Sequence, residues 1–533
     1  MNLGRFILQI MRKVEQKPLS FSTTMRNPAR MALFITCIKE FEGQVLTSEI
    51  IRKIVKKVIK NKLYKPMYIN KDLNLKRIYE DENITFSDLE LDQIIDNSPQ
   101  EHKEAGFEKG WDSRFDTWYK LCKEFGFIYY KMNTSIEISQ SGYMLCDAYN
   151  EITESSNEKI QNIFLNALMK YQTNNPFRKN ANKNVPIPLL LNVLNLLKLD
   201  KDENGVGIHC KELPFFTCWH NNNAHELYLY IKKFRKDFGY SSSDEIIYEK
   251  ALGLLNSTNK TRFKMNQILK EGIDDLIRKL RITGIFSLRG MGKFIDINKF
   301  EEDKIKYIIK NYSTYNIYDD EYSFYKYMGN IDSNIVKLKQ NELYDISYIR
   351  NKALLNFSNK YSFKEINEEI LHLSNNTPSK DEFLKLIEQP TRLEFLISVA
   401  LVKNYPNYIV KPNYCIDDEG NPTFTAKGGI GDIEIYDENN DVLVEVTLMK
   451  SRQQATNEIP SITRHLKQKR QKSSKNNVFS LFIAPILHED TIYMCEFSKF
   501  KYFLDIIPYT IKNFIHNLPK TKHINEFLSI YEN

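Results

Sequence analysis

Asp432 and Glu445 lie on either side of an Asn439-Asn440 pair, Glu445 inside a short apolar run. Gly428-Gly429-Ile430-Gly431 leads into Asp432, and Val442-Leu443-Val444-Glu445-Val446-Thr447 follows the Asn pair. Apolar runs around such a turn predict a hairpin that brings the two carboxylates together. Two hard oxygen ligands with open coordination positions are what Mg2+ requires for phosphodiester hydrolysis. Glu445 stands among Val and Leu, where a carboxylate is costly unless a cation or hydrogen bonds compensate it. The same spacing also describes an ordinary hairpin with solvent-facing acids. The neighbours add weight: Glu394 lies on the preceding helix, Glu458 begins the next, and Arg464-His465 follow about two turns later, where one face of the helix would present them with Glu458 to a phosphate. Lys467, Lys469, Arg470, Lys472 and Lys475 continue as a basic run that suits a nucleic-acid backbone or simple solvation.

The elements that must position these residues belong to a mixed α/β region beginning near residue 380. A helix is expected over Lys380 to Asn404 and strands over Tyr408 to Ile416, Gly431 to Tyr436 and Asp441 to Thr447. A helix from Ala455 to Arg470 and strands at Val478 to Ala484 and Asp505 to Pro508 complete it. Before it, Lys304 to Ser379 is rich in Tyr, Lys and Glu and poor in Gly and Pro, and reads as a helical linker.

The first 300 residues carry one pattern twice: a helix ending at Gly, two short strands joined by a turn, and another helix. The first copy runs from Phe115 through Phe125-Gly126-Phe127, Ile128-Tyr129-Tyr130 and Ile136-Glu137-Ile138 to Ser141. The second runs from Ile273 through Thr283-Gly284-Ile285, Phe286-Ser287-Leu288, the Arg289-Gly290-Met291-Gly292 turn and Phe294-Ile295-Asp296-Ile297 to Glu301. Both suggest a winged helix, a DNA-contacting or protein-contacting module. Two helices from Ala32 to Tyr64, the second basic and capped at Thr47-Ser48, give a helix-turn-helix outline. Glu158 to Leu199 and Asn221 to Phe238 read as helical scaffold. The expected division is 1–150 and 151–300 as two winged-helix-like subdomains, 301–379 as a helical linker and 380–533 as a mixed α/β domain.

Composition excludes several classes. With 533 residues, 42% hydrophobic and 27% charged, the chain can bury several cores and is not disordered. A net charge of +7 permits a polyanionic partner without requiring one. Seven scattered cysteines without a C-x-x-C pair suit a reducing cytosol, and the His209-Cys210 and Cys218-Trp219-His220 spacings are too tight for a usual zinc site. No signal peptide or membrane-spanning run is seen, so a cytoplasmic protein is expected.

At the acidic residues the chain resembles the AlwI family of type IIS restriction endonucleases, whose relatives include site-specific nicking endonucleases. The resemblance is carried by Thr391-Arg392-Leu393-Glu394-Phe395, Gly431-Asp432-Ile433-Glu434, Glu445-Val446-Thr447, and Glu458 before Thr463-Arg464-His465. Met25-Arg26-Asn27-Pro28-Ala29-Arg30 and Glu40-Phe41-Glu42-Gly43 extend it to the N-terminal part. It implies a multidomain α+β protein with a mostly helical recognition half, a helical linker and a C-terminal nuclease domain of the PD-(D/E)XK type. In that pattern a Lys follows the second acid by two positions, where this chain has Thr447. The family form is Glu-Val-Thr, with Glu458, Arg464 and His465 taking over the placing of water, metal or phosphate.

The resulting expectation is an enzyme that hydrolyses DNA outside a short asymmetric site, either as a type IIS restriction endonuclease or as a nicking enzyme. Glu394, Asp432, Glu445, Glu458, Arg464 and His465 are its candidate catalytic residues. Asp432, Glu445 and the Val446 carbonyl would hold Mg2+, and Arg26, Arg30, Arg114, Lys467 and Arg470 would touch double-stranded DNA. One catalytic centre cuts one strand, so double-strand cleavage calls for a second copy or a small nuclease subunit; the family also implies a cognate DNA methyltransferase. The alternative is a non-catalytic DNA-binding regulator with a degenerate nuclease-like domain. Absence of the Lys favours it, and four retained acids oppose it. A helical scaffold protein would leave the acidic hairpin without a purpose.

Overall fold

Helices dominate the first two thirds of the chain and a sheet organises the last. The structure, a computed structural model, describes residues 15–21, 25, 27–81, 83–150, 155–203, 205–341 and 343–532. By contacts the chain forms two units: Met1–Ile59, Pro99–Asn150 and Glu158–Glu342 in the first, and Lys60–Ser98, Glu151–Asn157 and Leu343–Asn533 in the second. The stretch read as a linker is thus divided between them. No described helix is long and apolar enough to cross a membrane.

In the first unit, α1 (Ala29–Lys39) and α2 (Ser48–Lys60) flank residues 43–46. The Thr47 hydroxyl caps α2 by accepting from the Ile50 N–H at 3.3 Å. Ile51, Ile54, Val55, Val58 and Ile59 are buried along one face, as the 3.6-residue period requires. α3 (Trp111–Glu124) ends at Gly126, whose φ of 76° favours glycine, and leads into an antiparallel hairpin of β1 (Ile128–Tyr129) and β2 (Glu137–Ile138), followed by α4 (Gln140–Asn150). Residues 43–46 run beside this hairpin, with Gly43 N–H donating to Ile136 O (2.8 Å) and Leu46 N–H to Thr134 O (2.9 Å). A Cβ on Gly126 would lie 2.4 Å from Met328 Cβ, so the helix Glu321–Gly329 rests directly on this turn.

The second copy is built alike. β3 (Ile208–His209) pairs with the hairpin that follows α5 (Gly272–Ile282), namely β4 (Phe286–Arg289) and β5 (Phe294–Ile297), and α6 (Glu302–Tyr312) closes it. Each helix–hairpin–helix motif therefore gains a third extended segment from earlier in the chain, which local pattern does not reveal. The region from Glu158 to Leu199, read as helical scaffold, consists of helices Ser156–Lys170 and Pro186–Leu199 separated by a loop. Its asparagines compete with helical hydrogen bonding: Asn180 donates to Thr173 O (2.7 Å), and Asn182 and Asn184 donate to Trp219 O (3.1 and 2.8 Å). Cys218 is buried in an apolar cluster with Tyr248 and Leu252, and Cys210 donates to Gly292 O, so these two cysteines have no common centre.

In the second unit α7 (Ile346–Lys360) and α8 (Phe363–Ser374) pack on α9 (Gln389–Asn404). α9 begins later than the expected Lys380 because Pro390, lacking an N–H, suits a first helical turn. The expected strand from Tyr408 to Ile416 is two strands broken at Asn413: β6 (Ile409–Pro412) joins the main sheet, while β7 (Tyr414–Ile416) pairs with β8 (Pro422–Ala426). After β9 (Ile433–Tyr436) and β10 (Asn440–Val446) come α10 (Ile459–Lys472), β11 (Asn477–Ala484), α11 (Glu489–Tyr502) and β12 (Ile506–Thr510). The sheet order is β12-β11-β10-β9-β6, with β10, β11 and β12 parallel and β9 antiparallel to both its neighbours. Leu443 of β10 packs with Ile459, Ile462 and Leu466 of α10. With a period of two, Asp441 and Glu445 share the face of Leu443 and look toward the same helix.

Candidate active site

The β9–β10 register pairs Ile433 with Val444, so the residues just beyond, Asp432 and Glu445, meet at the end of the hairpin. Backbone N–H groups tie them together: Asp432 N–H donates to Glu445 Oε2 (3.3 Å), and Val446 N–H donates to Asp432 Oδ2 (2.8 Å). Gly431 makes room for this arrangement, since a Cβ there would stand 3.0 Å from Glu445 Oε1 and 3.1 Å from Leu443 Cδ2. From α9 comes the buried Glu394, whose Oε2 accepts from Ala426 N–H of β8 (2.9 Å). Glu458, on the helical turn that leads into α10, accepts from the Thr447 hydroxyl (3.3 Å). His465 of α10 places Nδ1 3.1 Å from Glu445 Oε1.

These acids oppose one another. Burial, and then the charge of Asp432, pushes the Glu394 carboxyl well above the usual range. Burial, and then Glu445, does the same to Asp432, and both causes raise Glu458. Four carboxylates thus crowd one another, with His465 beside Glu445, an excess of negative charge that a divalent cation would neutralise. Among the described residues no three His, Cys, Asp or Glu side chains enclose an ion by themselves. The donor set that fits is therefore the sparse one Mg2+ accepts, one or two carboxylates with the remaining positions left to backbone oxygen, water and phosphate. Asp432, Glu458 and His465 are only partly buried, which leaves the cluster open on one side.

The structure brings Glu394, Asp432, Glu445, Glu458, His465 and the Val446 backbone into one place. It does not bring Arg464 there. Adjacent residues on a helix point about 100° apart, so with His465 turned inward Arg464 is exposed and donates to Ser461 Oγ (2.8 Å). Lys467 is exposed, and Arg470 is exposed with a bond to Phe503 O. In the first unit Arg114 Nη1 lies 2.7 Å from His102 Nε2, and Arg30 sits over the Phe34 ring at 5.6 Å. Arg26 lies outside the described residues.

One cluster escaped the sequence reading. Lys469 is nearly buried and lies 2.7 Å from both Glu434 Oε2 and Asp441 Oδ1, with Tyr436 OH at 3.1 Å. Burial opposes charge on Glu434, but hydrogen bonds from Lys469 and Tyr436 outweigh it and hold that carboxyl down to about 2. The available signal was spacing: Glu434 is two residues from Asp432 on one strand, and Lys469 is one helical turn from His465.

A family model for the AlwI restriction endonucleases matches residues 123–333 and 326–517. Solved structures similar to the chain include the small subunit of the heterodimeric restriction endonuclease R.BspD6I, at 21% identity and a TM-score of 0.26 over 32% of this chain and 87% of that one. Restriction endonuclease FokI is similar at 12% identity and 0.26, over 97% and 98% of the two chains, and FokI bound to DNA at 14% and 0.23, over 97% of each. TM-scores this low leave the fold and the site to be argued from the chain itself. No curated protein matches.

Proposed function

Because this chain belongs to the AlwI restriction endonuclease family, we propose that it is a type IIS enzyme that reads a short asymmetric DNA site through its first unit and hydrolyses a phosphodiester bond outside that site with its second. The observation that carries the reading is the convergence of Glu394, Asp432, Glu445 and Glu458 from two helical segments and a hairpin, with backbone N–H groups fixing three of the four carboxylates and a hydroxyl the fourth. Asp432, Glu445 and the Val446 carbonyl would hold Mg2+, which when bound supplies Lewis acidity and an activated water. Glu394 braces the pair from behind, fixed by Ala426 N–H. Glu458, held by Thr447 and only partly buried, is the acid assigned to accept a proton from the attacking water. His465 orients Glu445 through Nδ1. The position that carries Lys in the wider nuclease pattern is thus used to hold an acid, which answers the chief argument for a non-catalytic regulator.

We read the two helix–hairpin modules of the first unit, each with its added strand-like segment, as winged helices and assign DNA recognition to them. Arg30 and Arg114 are assigned to that recognition, and Lys467 to the backbone near the cut. Incubation of supercoiled plasmid with Mg2+ and either the wild type or Asp432→Ala tests the reading. Discrete open-circular or linear product from the wild type alone supports it. Equal inertness of both proteins, with specific DNA binding retained, would favour the regulator.

A further inference from the structure

We propose that Lys469 is a positioning residue of this nuclease: it clamps α10 onto the β9–β10 hairpin and so sets the register in which His465 meets Glu445 and Glu458 stands over the metal acids. The inference rests on the catalytic reading above and adds a residue to it. Lys469 belongs to a basic run that would ordinarily be assigned to the DNA backbone, yet its side chain is only 10% exposed, whereas Lys467 and Arg470 on the same helix are exposed. An ammonium held at 2.7 Å by two carboxylates reaches a phosphate only by leaving them. Those partners come from both strands of the hairpin, Glu434 of β9 and Asp441 of β10, each at 2.7 Å, while the Tyr436 ring lies 4.3 Å beneath the charge.

From Glu434 a short path leads back to the acidic cluster. Glu434 shares its strand face with Asp432, two residues earlier, and also accepts from Asn413 Nδ2 (3.2 Å), which donates to Gly431 O (2.7 Å) as well. Asn413 N–H in turn donates to Asp432 O (2.8 Å). The clamp therefore reaches the backbone on both sides of the Gly431–Asp432 peptide. Along α10, Lys469 is one turn from His465. Removing the ammonium would release α10 from the hairpin at that point and leave Glu434 and Asp441 without their counter-charge. Displacing a catalytic side chain by as little as about 1 Å can cost about 100-fold in rate.

The test compares the wild type, Asp432→Ala, Lys469→Met and the compensated variant Lys469→Met with Glu434→Gln and Asp441→Asn, which removes the stranded charges. Melting temperature, metal-free DNA affinity as a function of salt, and single-turnover cleavage at saturating enzyme are measured for each. The expected result is cleavage slowed about 10- to 100-fold in both Lys469 variants, including the compensated one whose melting temperature returns toward wild type, with DNA affinity and its salt slope unchanged and a higher Mg2+ concentration needed for half-maximal rate. Wild-type rate in either folded Lys469 variant overturns the proposal. So does a salt slope reduced by about one, which would make Lys469 a phosphate contact. A wild type that fails to cleave, or an Asp432→Ala variant that cleaves equally well, instead refutes the catalytic reading on which the proposal rests.

Discussion

Asp432 and Glu394 are carboxylates in surroundings that oppose their charge, and this has a measurable cost in the metal-free protein. A carboxyl whose pKa is raised by folding binds protons more tightly in the folded chain, so its contribution to stability is full below the unfolded value of about 4 and is lost as pH rises through the raised value. Glu394, Asp432 and Glu458 are all shifted upward, so at pH 8 in EDTA all three oppose folding. Asp432→Asn is therefore expected to melt above the wild type under those conditions, by about 2–4 °C for each kcal/mol of repulsion relieved. The gap should narrow as pH falls toward 4, and Mg2+ should raise the wild type more than the variant. A variant that melts at or below the wild type across the whole range would show that the repulsion is already compensated. The acids themselves were legible in the sequence because an acid inside an apolar strand, next to a turn, is conspicuous on chemical grounds alone. The groups that bond them were not: Ala426 N–H, the Thr447 hydroxyl and the Lys469 clamp depend on which segments pack together, and a run of lysines gives no sign of which one is buried.

Elements with a local cause were read closely, and those with a distant one were not. The hairpin of Phe286 to Ile297 and the cap at Thr47 follow from turn residues and periodicity within a dozen positions. The break at Asn413, the β8 strand and the pairing of β3 with β5 are set by partners far along the chain, which a single sequence does not display. Gly126 shows both kinds of cause at one position. Its φ of 76° is a local requirement, while its contact with Met328 is tertiary. Alanine in the left-handed region costs about 1–2 kcal/mol, and forcing a methyl against packed atoms adds about 1–3 kcal/mol. Gly126→Ala is thus expected to destabilise the first unit by roughly 2–5 kcal/mol. Gly43→Ala, at φ 79° with no atom within 4 Å of the added Cβ, should cost only the first part. Chemical denaturation of the two variants measures the difference. Equal losses would mean that the helix Glu321–Gly329 yields at no cost and does not brace the hairpin.

At the scale of the whole molecule, the proposed site has one acidic cluster and so would cut one strand, and linear product would then require a second nuclease unit. α11 offers a surface on which such a unit could sit. Tyr493, Phe497 and Phe500 recur at helical spacing along it and are 72%, 44% and 82% exposed, and Phe503 just beyond is 74% exposed. Aromatic side chains of about 150–250 Å² each make this roughly 500 Å² of exposed apolar surface, at the upper end of what a monomer usually carries and more than half of the share of about 800 Å² that one partner gives a standard interface. If a second copy of the chain docks there, open-circular product should form in proportion to protein concentration and linear product with a steeper dependence. Phe500→Glu combined with Tyr493→Glu should then abolish linear product while leaving the first cut and site-specific binding intact, because neither residue belongs to the acidic cluster or to the first unit. Sedimentation of the protein on a DNA site would show the same substitution converting a two-protein complex into a one-protein complex. Linear product undiminished in the double variant would separate this surface from the second cut. A wild type that yields open-circular product at every concentration would assign the second cut to a different subunit, and the chain would then act by itself as a nicking enzyme.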